Sequence, residues 1–159
     1  MKRLSALISA MVLVFTSLTA QINTDRVLAI GRNALYFEDY VLSIQYFNEV
    51  IAVKPYLADP YLYRSIAKIY LDDYLGAAQD ASACIERNPF LVTAWQVRGI
   101  ARQNLKEYDG AIADFELGLS VQPENKVFLR SLAVSYALKK DYRRADSCFN
   151  HFIDLFPNE

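Results

Sequence analysis

Glycine, proline, histidine and cysteine are all scarce in this chain. Five Gly and five Pro are too few for a linker or a low-complexity tract, and 53% apolar residues can fill a core. With no second histidine and only distant cysteines, a zinc site would lack its three or four ligands. The 17 basic and 18 acidic side chains give a formal net charge of -1, which argues against a nucleic-acid partner.

The first twenty residues (1–20) have the pattern of a signal peptide. Lys2 and Arg3 open the chain, and the uncharged apolar stretch that follows is shorter than the roughly 20 residues of a spanning helix. Cleavage is expected after Ala20, and the product is expected to be exported, either periplasmic or secreted. Because Leu18 occupies a place where a small residue is usual, an uncleaved membrane anchor stays open as an alternative.

The strongest pattern is an internal period of 34 residues. Prolines, small residues and acid–tyrosine pairs all recur in this register. The prolines are Pro55, Pro89, Pro123 and Pro157, the acidic residues are Asp39, Asp73, Glu107 and Asp141, and one small column holds Gly31, Ser65, Gly99 and Ala133. Apolar and small residues at helical spacing predict two helices in each unit, and each proline prevents the second helix from continuing.

These columns resemble the tetratricopeptide repeat, a helix-turn-helix unit with small residues at its eighth and twentieth positions and proline near its end. Four units follow, at residues 24–57, 58–91, 92–125 and 126–159. In the third unit the signature places hold Trp95, Gly99, Tyr108, Ala111, Phe115 and Pro123. The resemblance implies an all-α fold, a right-handed α-solenoid of eight antiparallel helices in which neighbouring units stack. Gly118 and Phe152 depart from the family pattern, which has Ala at those two places.

The units also predict helix bounds. The first helices are expected at 24–37, 58–71, 92–105 and 126–139, and the second helices at 40–53, 74–87, 108–121 and 142–155. Asp59, directly before Pro60, is expected to cap the first helix of unit two.

The seventh and twenty-third positions of the units vary together. In units two and three they hold Arg with Asp, and in units one and four they hold uncharged residues. The four pairs are Ile30 with Tyr46, Arg64 with Asp80, Arg98 with Asp114 and Leu132 with Cys148. This pattern predicts direct contact within each unit, with the Arg–Asp pairs as structural staples and a ligand-binding role as the alternative.

Cys84 and Cys148 are predicted to be free thiols. They lie on the second helices of units two and four, so a whole unit separates them by about 20 Å, beyond the roughly 7 Å limit for a disulfide. Apart from Cys148, no candidate nucleophile lies beside His151, and no glycine-rich phosphate loop occurs. We therefore expect no enzyme, cofactor, metal or small-molecule substrate, with catalysis as the weakest of three functional hypotheses.

The first hypothesis, a non-enzymatic scaffold that binds a peptide or protein, follows from the resemblance. In that family the first helices line a concave groove. The matching positions hold Leu28, Arg32, Leu62, Tyr63, Ile66, Tyr70, Gln96, Val97, Ile100, Asn104, Arg130, Ser131, Val134 and Leu138. The alternative is that these residues only pack the helices together. The family's clamp for carboxylate tails is not matched, because its places in the first three units hold Leu28, Arg32, Tyr63, Thr93 and Val97.

The second hypothesis is a structural role through the C-terminal end. The sequence ends two residues after Pro157, and its last predicted helix carries Phe149, Phe152 and Phe156. We expect part of this surface to stay exposed and to associate as a homodimer or with a partner in an envelope complex. The alternative is that Phe152 folds back over the fourth unit.

Overall fold

In the computed structural model, which describes residues 23–158, four helix-turn-helix pairs follow one another and no strand occurs among these residues. The first helices are α1 (Thr24–Tyr36), α3 (Asp59–Tyr70), α5 (Val92–Asn104) and α7 (Lys126–Leu138). The second helices are α2 (Tyr40–Val53), α4 (Tyr74–Arg87), α6 (Tyr108–Val121) and α8 (Tyr142–Leu155). The all-α solenoid is confirmed, and the second helices have the bounds that the repeat predicts. The predicted signal peptide lies outside the described residues.

Each pair is joined by a tight turn that ends the first helix. One residue in each turn has a positive φ of 57 to 68°, namely Glu38, Asp72, Lys106 and Lys140. The next backbone N–H donates back across the last helical turn, as from Glu107 to the carbonyl of Arg102 at 2.8 Å. This closure is the Schellman motif. It ends the first helices one residue before the predicted bounds.

The second helices begin with capping side chains, with one exception. Asp39, Asp73 and Asp141 each accept a hydrogen bond from the backbone N–H three residues later, at 2.9 to 3.2 Å. Glu107 makes no such bond. The prediction that Asp59 caps α3 is wrong: the N-cap is Ala58, and Asp59 lies inside the first turn, where its carboxylate faces the positive end of the helix dipole.

Small residues allow the two helices of a unit to approach closely. A Cβ atom at Gly99 would lie 2.4 Å from Cε1 of Phe115, and one at Gly31 would lie 2.7 Å from Cε1 of Phe47. Phe47 and Phe115 are both fully buried. The small column at the eighth position therefore has the role that the sequence predicts in units one and three.

Among the described helices, the first helices of neighbouring units contact one another and the second helices do not. This difference gives the array its concave side. Consecutive first helices contact one another directly, from α1 to α3, α5 and α7. Among the described helices no second helix contacts another second helix, because each is separated from the next by a first helix. The first helices therefore line the inner, concave face and the second helices lie on the outer face.

Candidate binding groove

The concave face has an open cleft between α1 and α3. Its volume is about 610 Å³, and it is lined by Ala29, Arg32, Asn33, Leu35, Tyr36 and Tyr63. Arg32 and Tyr63 belong to the predicted groove. The guanidinium carbon of Arg32 lies 5.1 Å from the centre of the Tyr63 ring.

Tyr63 is held from its other side as well. Its ring stacks on the buried Phe47 with centroids 5.8 Å apart, so the aromatic floor of the cleft is fixed by the core of unit one. A guanidinium that lies against a fixed ring keeps its N–H donors free for a carboxylate or carbonyl of a ligand. The cleft can therefore hold an apolar side chain beside an oxygen acceptor.

Other predicted groove residues are partly buried or exposed along the same face. Leu28, Ile66, Gln96, Ile100, Ser131 and Val134 are half-buried, while Arg130 and Leu138 are exposed. Tyr70 is exposed too, but its ring stacks on Tyr40 of α2 at 4.7 Å. Asn104 donates a hydrogen bond to the carbonyl of Ile100 on its own helix.

Leu62 and Val97 belong to the core. They are 7% and 5% exposed and pack in one cluster with Cys84 and Ile85 of α4. They offer a ligand little surface, and they fit the alternative in which first-helix residues pack the array together. Their neighbours along the concave face carry the accessible contacts.

The first helices, which line the concave face, carry more basic than acidic side chains. The first helices contain only two acidic residues, Asp25 and Asp59, and both lie in first turns. Basic side chains occur on all four first helices. Those on α3 and α5 are mostly engaged with aspartates, whereas Arg32 and Arg130 are exposed.

The two predicted Arg–Asp pairs are confirmed. Arg64 contacts both carboxylate oxygens of Asp80 at 2.5 and 2.8 Å, and Nη2 of Arg98 donates to Asp114 at 2.7 Å. The Asp114 side chain is only 2% exposed. Both aspartates are buried in the interior of the array, which fits the structural staple that the sequence predicts.

Each aspartate also has a second cation that the sequence reasoning missed. Lys68 contacts Asp80 and Arg102 contacts Asp114, both at 2.8 Å. The signal was present, because the eleventh position is basic in the same two units that carry the pair. Arg64 further donates to Asn48 of the preceding unit at 2.5 Å. The network thus links neighbouring units as well as the two helices of one unit.

Neither cysteine has the environment of a reactive thiol. Both are free, as predicted, and Cys84 is buried. Burial, with a smaller contribution from Asp59, raises the pKa of Cys84 to about 11, so the thiol is protonated at neutral pH. Burial raises the pKa of Cys148 as well. The part of the chain that the structure describes has no cluster of three or more potential metal ligands.

The C-terminal end is partly covered. Phe149 packs against the core of units three and four, and the rings of Phe152 and Phe156 lie 5.2 Å apart. Lys126 Nζ lies 4.7 Å from the centre of the Phe156 ring. Ile153 is 54% exposed. The three predicted phenylalanines therefore lie at this end, half-buried.

Sequence and structure comparisons identify the repeat. Residues 92–125 match the family model of the tetratricopeptide repeat. No curated protein matches the chain in sequence. A crystal structure of MamA superposes with a TM-score of 0.81 at 18% identity, over 86% of this chain and 80% of that chain.

Two further structures have the same fold. The tetratricopeptide domain of Arabidopsis OM64 has a TM-score of 0.69 at 25% identity, over 70% of this chain and 93% of that chain. The second such domain of human RPAP3, in complex with an HSP70 peptide, has a TM-score of 0.65 at 25% identity, over 67% of this chain and 89% of that chain. The third unit thus matches the tetratricopeptide repeat, and the described array has the fold of tetratricopeptide repeat structures.

Proposed function

We propose that the chain is a non-enzymatic scaffold that binds a peptide or a segment of a partner protein in its concave groove. The observation that carries this proposal is the cleft between α1 and α3, where Arg32 lies against the fixed ring of Tyr63. An extended segment can place an apolar side chain in the cleft and an acceptor on Arg32, while polar side chains farther along the face set its register.

The related structures support a peptide ligand but not the same one. The RPAP3 domain is bound to the HSP70 peptide SGPTIEEVD. Of the five positions that grip carboxylate tails in the family, only Arg32 is basic here, and the other four hold Leu28, Tyr63, Thr93 and Val97. We therefore propose a ligand with more apolar contact and fewer charge contacts than such a tail.

A peptide selection tests the groove. A random peptide library is displayed and selected on the purified chain, and the recovered peptides are titrated calorimetrically. Arg32→Ala and Tyr63→Ala should each weaken binding by about tenfold or more, equivalent to about 1.4 kcal/mol. Arg143→Ala and Tyr56→Ala are matched controls, because they remove the same residue types from exposed positions outside the cleft.

Two results would overturn the proposal that the peptide binds in the groove. One is a selection that yields no specific peptide. The other is a set of peptides whose affinity falls as much in the control variants as in the groove variants, since this would place the binding surface elsewhere.

Association through the C-terminal end is a second candidate. The twenty-eighth position holds Ile51, Ile85, Leu119 and Ile153. The first three pack into the cores between units, and Ile85 is 9% exposed, whereas Ile153 is 54% exposed. An uncovered apolar side chain at a stacking position favours a partner there. A Phe152→Glu, Phe156→Glu variant should lose that partner in pull-downs while it keeps groove-selected peptides.

We also propose that the protein is exported, on the pattern of residues 1–20. Mass spectrometry of the protein from its native source should find an N-terminus at Gln21. An intact Met1 in a membrane fraction would support the anchor instead. Among residues 23–158, no helix is long and apolar enough to cross a membrane.

A further inference from the structure

The four helix-turn-helix turns lie side by side and form one edge of the array, which we call the turn edge (residues 36–41, 70–75, 104–109 and 138–143). In units one and two this edge exposes six apolar side chains, each between 44% and 80% accessible. They are Tyr36, Phe37, Val41, Tyr70, Leu71 and Leu75. They occupy the same three positions of the repeat in both units.

Aromatic contacts join parts of this exposed surface. The rings of Tyr36 and Phe37 meet edge to face at 5.2 Å, and Tyr70 of unit two stacks on Tyr40 of unit one. Exposed apolar patches of this kind mark interaction sites in soluble proteins. The stacked pair joins the two turns across the boundary between the units.

The fold itself does not require apolar residues at these positions. Units three and four hold Asn104, Leu105, Asp109, Leu138, Lys139 and Arg143 there, and form the same turns. The turn edge is thus apolar in its first half and mainly polar in its second half.

The two halves of the turn edge also differ in charge. The residue of positive φ is acidic in units one and two, as Glu38 and Asp72, and basic in units three and four, as Lys106 and Lys140. Their φ values are similar, so the four side chains leave the backbone in equivalent positions. In the second half, which we call the basic half, Arg143 is a further exposed cation and Lys139 is paired with Asp109. This half also carries the exposed Glu107 and the partly buried Asp141, which is paired with Arg144.

We propose that a second copy of the chain docks on the turn edge in antiparallel orientation. The acidic, apolar half of each copy then lies on the basic half of the other, and a single two-fold axis relates the two contacts. The apolar patches, together with Leu138 and the exposed Tyr142 of the facing half, provide buried area. The charges set the register, because a parallel arrangement would face like charges.

A second copy fits this edge better than a basic peptide does. A basic peptide would satisfy Glu38 and Asp72 but would face the like charges of Lys106 and Lys140 if it extended along the whole edge. In the antiparallel dimer each half of the edge contacts the half of opposite charge on the other copy. The chain itself therefore supplies the complementary groups.

Charge reversal tests the proposal with residues that the repeat already accepts. The first variant carries Glu38→Lys and Asp72→Lys, which copies the side chain of Lys106 and Lys140. The second carries Lys106→Glu and Lys140→Glu, which copies Glu38. Both are prepared from the full-length chain, in the same form as the wild type, and their helix content is checked by circular dichroism.

Sedimentation velocity over the micromolar range should show a dimer for the wild type and a shift of at least about tenfold toward monomer for each variant alone. An equimolar mixture of the two variants should recover the dimer, since each then faces opposite charge in both contacts. Tyr36→Asn with Phe37→Asn should weaken the dimer, because Asn104 shows that the first of these positions accepts Asn.

Several outcomes would overturn the proposal. They are a monomeric wild type, reversed variants that dimerise as well as the wild type, and a mixture that stays monomeric. The Phe152→Glu, Phe156→Glu variant should still dimerise. If this variant alone is monomeric, the dimer forms through the C-terminal end and not through the turn edge.

Discussion

Asp114 accepts hydrogen bonds from two arginines one helical turn apart, Arg98 and Arg102, while its side chain is almost fully enclosed. Arg98 also lies 4.7 Å from the centre of the Trp95 ring and donates to Ser82 of the preceding unit. A buried carboxylate is stabilised only while its partners remain. The contribution of this site to the stability of the fold therefore depends on the whole set of contacts and not on one pair.

We predict that Arg98→Leu destabilises the fold by about 1 to 4 kcal/mol, because Asp114 then keeps only Arg102. Adding Asp114→Cys should recover part of the loss, and adding Arg102→Tyr should recover more. Unit four already combines Leu132, Tyr136 and Cys148 at these three positions. Chemical denaturation measures the effect, and additive losses in the Arg98–Asp114 cycle would contradict the coupling.

At Gly118 the packing against the next unit outweighs the usual preference of a helix for Ala. Ala is favoured over Gly by about 1 kcal/mol inside a helix. A Cβ at Gly118, however, would lie 2.4 to 2.8 Å from ring atoms of Phe128, which is buried in the next unit. The glycine that departs from the family pattern makes room for this ring.

Gly118→Ala should therefore destabilise the protein by about 1 to 3 kcal/mol, the cost of overpacking a core. In a Phe128→Leu background the same change should be neutral or stabilising, because the ring is gone and helix propensity remains. Thermal or chemical denaturation of the wild type, the two single variants and the double variant shows whether Gly118→Ala stabilises or destabilises the protein in each background. Stabilisation by Gly118→Ala in the wild-type background would show that the contact has no cost.

At the scale of elements, α6 is the only second helix among the four without a capping side-chain hydrogen bond. Its N-cap, Glu107, has one methylene more than the aspartates that cap the others. Glu107→Asp should raise the free energy of unfolding by about 0.5 to 1 kcal/mol, as a gained cap does. The reverse change, Asp141→Glu, should lower it by a similar amount.

Denaturant midpoints of both variants test the cap. Glu107 also lies 3.9 Å from Arg102 in an exposed contact, and such a pair contributes little. A loss of stability in Glu107→Asp would mean that this contact outweighs the cap.

The elements follow from the sequence to different degrees. The second helices were predictable at both ends, because an acidic cap and a proline flank each of them. The first helices were each predicted to end one residue too late, since the left-handed turn has no glycine to signal it in any unit. Asp59 was misassigned because Pro at the start of a helix does not fix which neighbour is the cap.

The site was less predictable. Arg32 and Tyr63 follow from the groove positions of the family, but the burial of Leu62 and Val97 depends on how α3 and α5 pack on α4. The apolar patch of the turn edge was missed, because side chains such as Phe37 and Leu71 read as ordinary core residues until their exposure is known.

For the whole molecule, the array should behave as a sum of units and the interfaces between neighbours. Deleting unit three (92–125) removes one of the two Arg–Asp networks and replaces two native interfaces by a non-native contact between units two and four. Deleting unit four (126–159) removes one interface. We predict the larger loss of denaturation midpoint for the unit-three deletion, and equal losses would contradict a linear stack.

The central claim, that the concave face binds the ligand, is tested most directly by mapping a selected peptide on the isotopically labelled protein. Nuclear magnetic resonance titration should perturb amides of α1 and α3 around Arg32, Asn33 and Tyr63, with smaller changes along α5 and α7. It should leave the outer faces of α2, α4, α6 and α8 unchanged. Perturbations that cluster on those second helices, with α1 and α3 silent, would contradict the account.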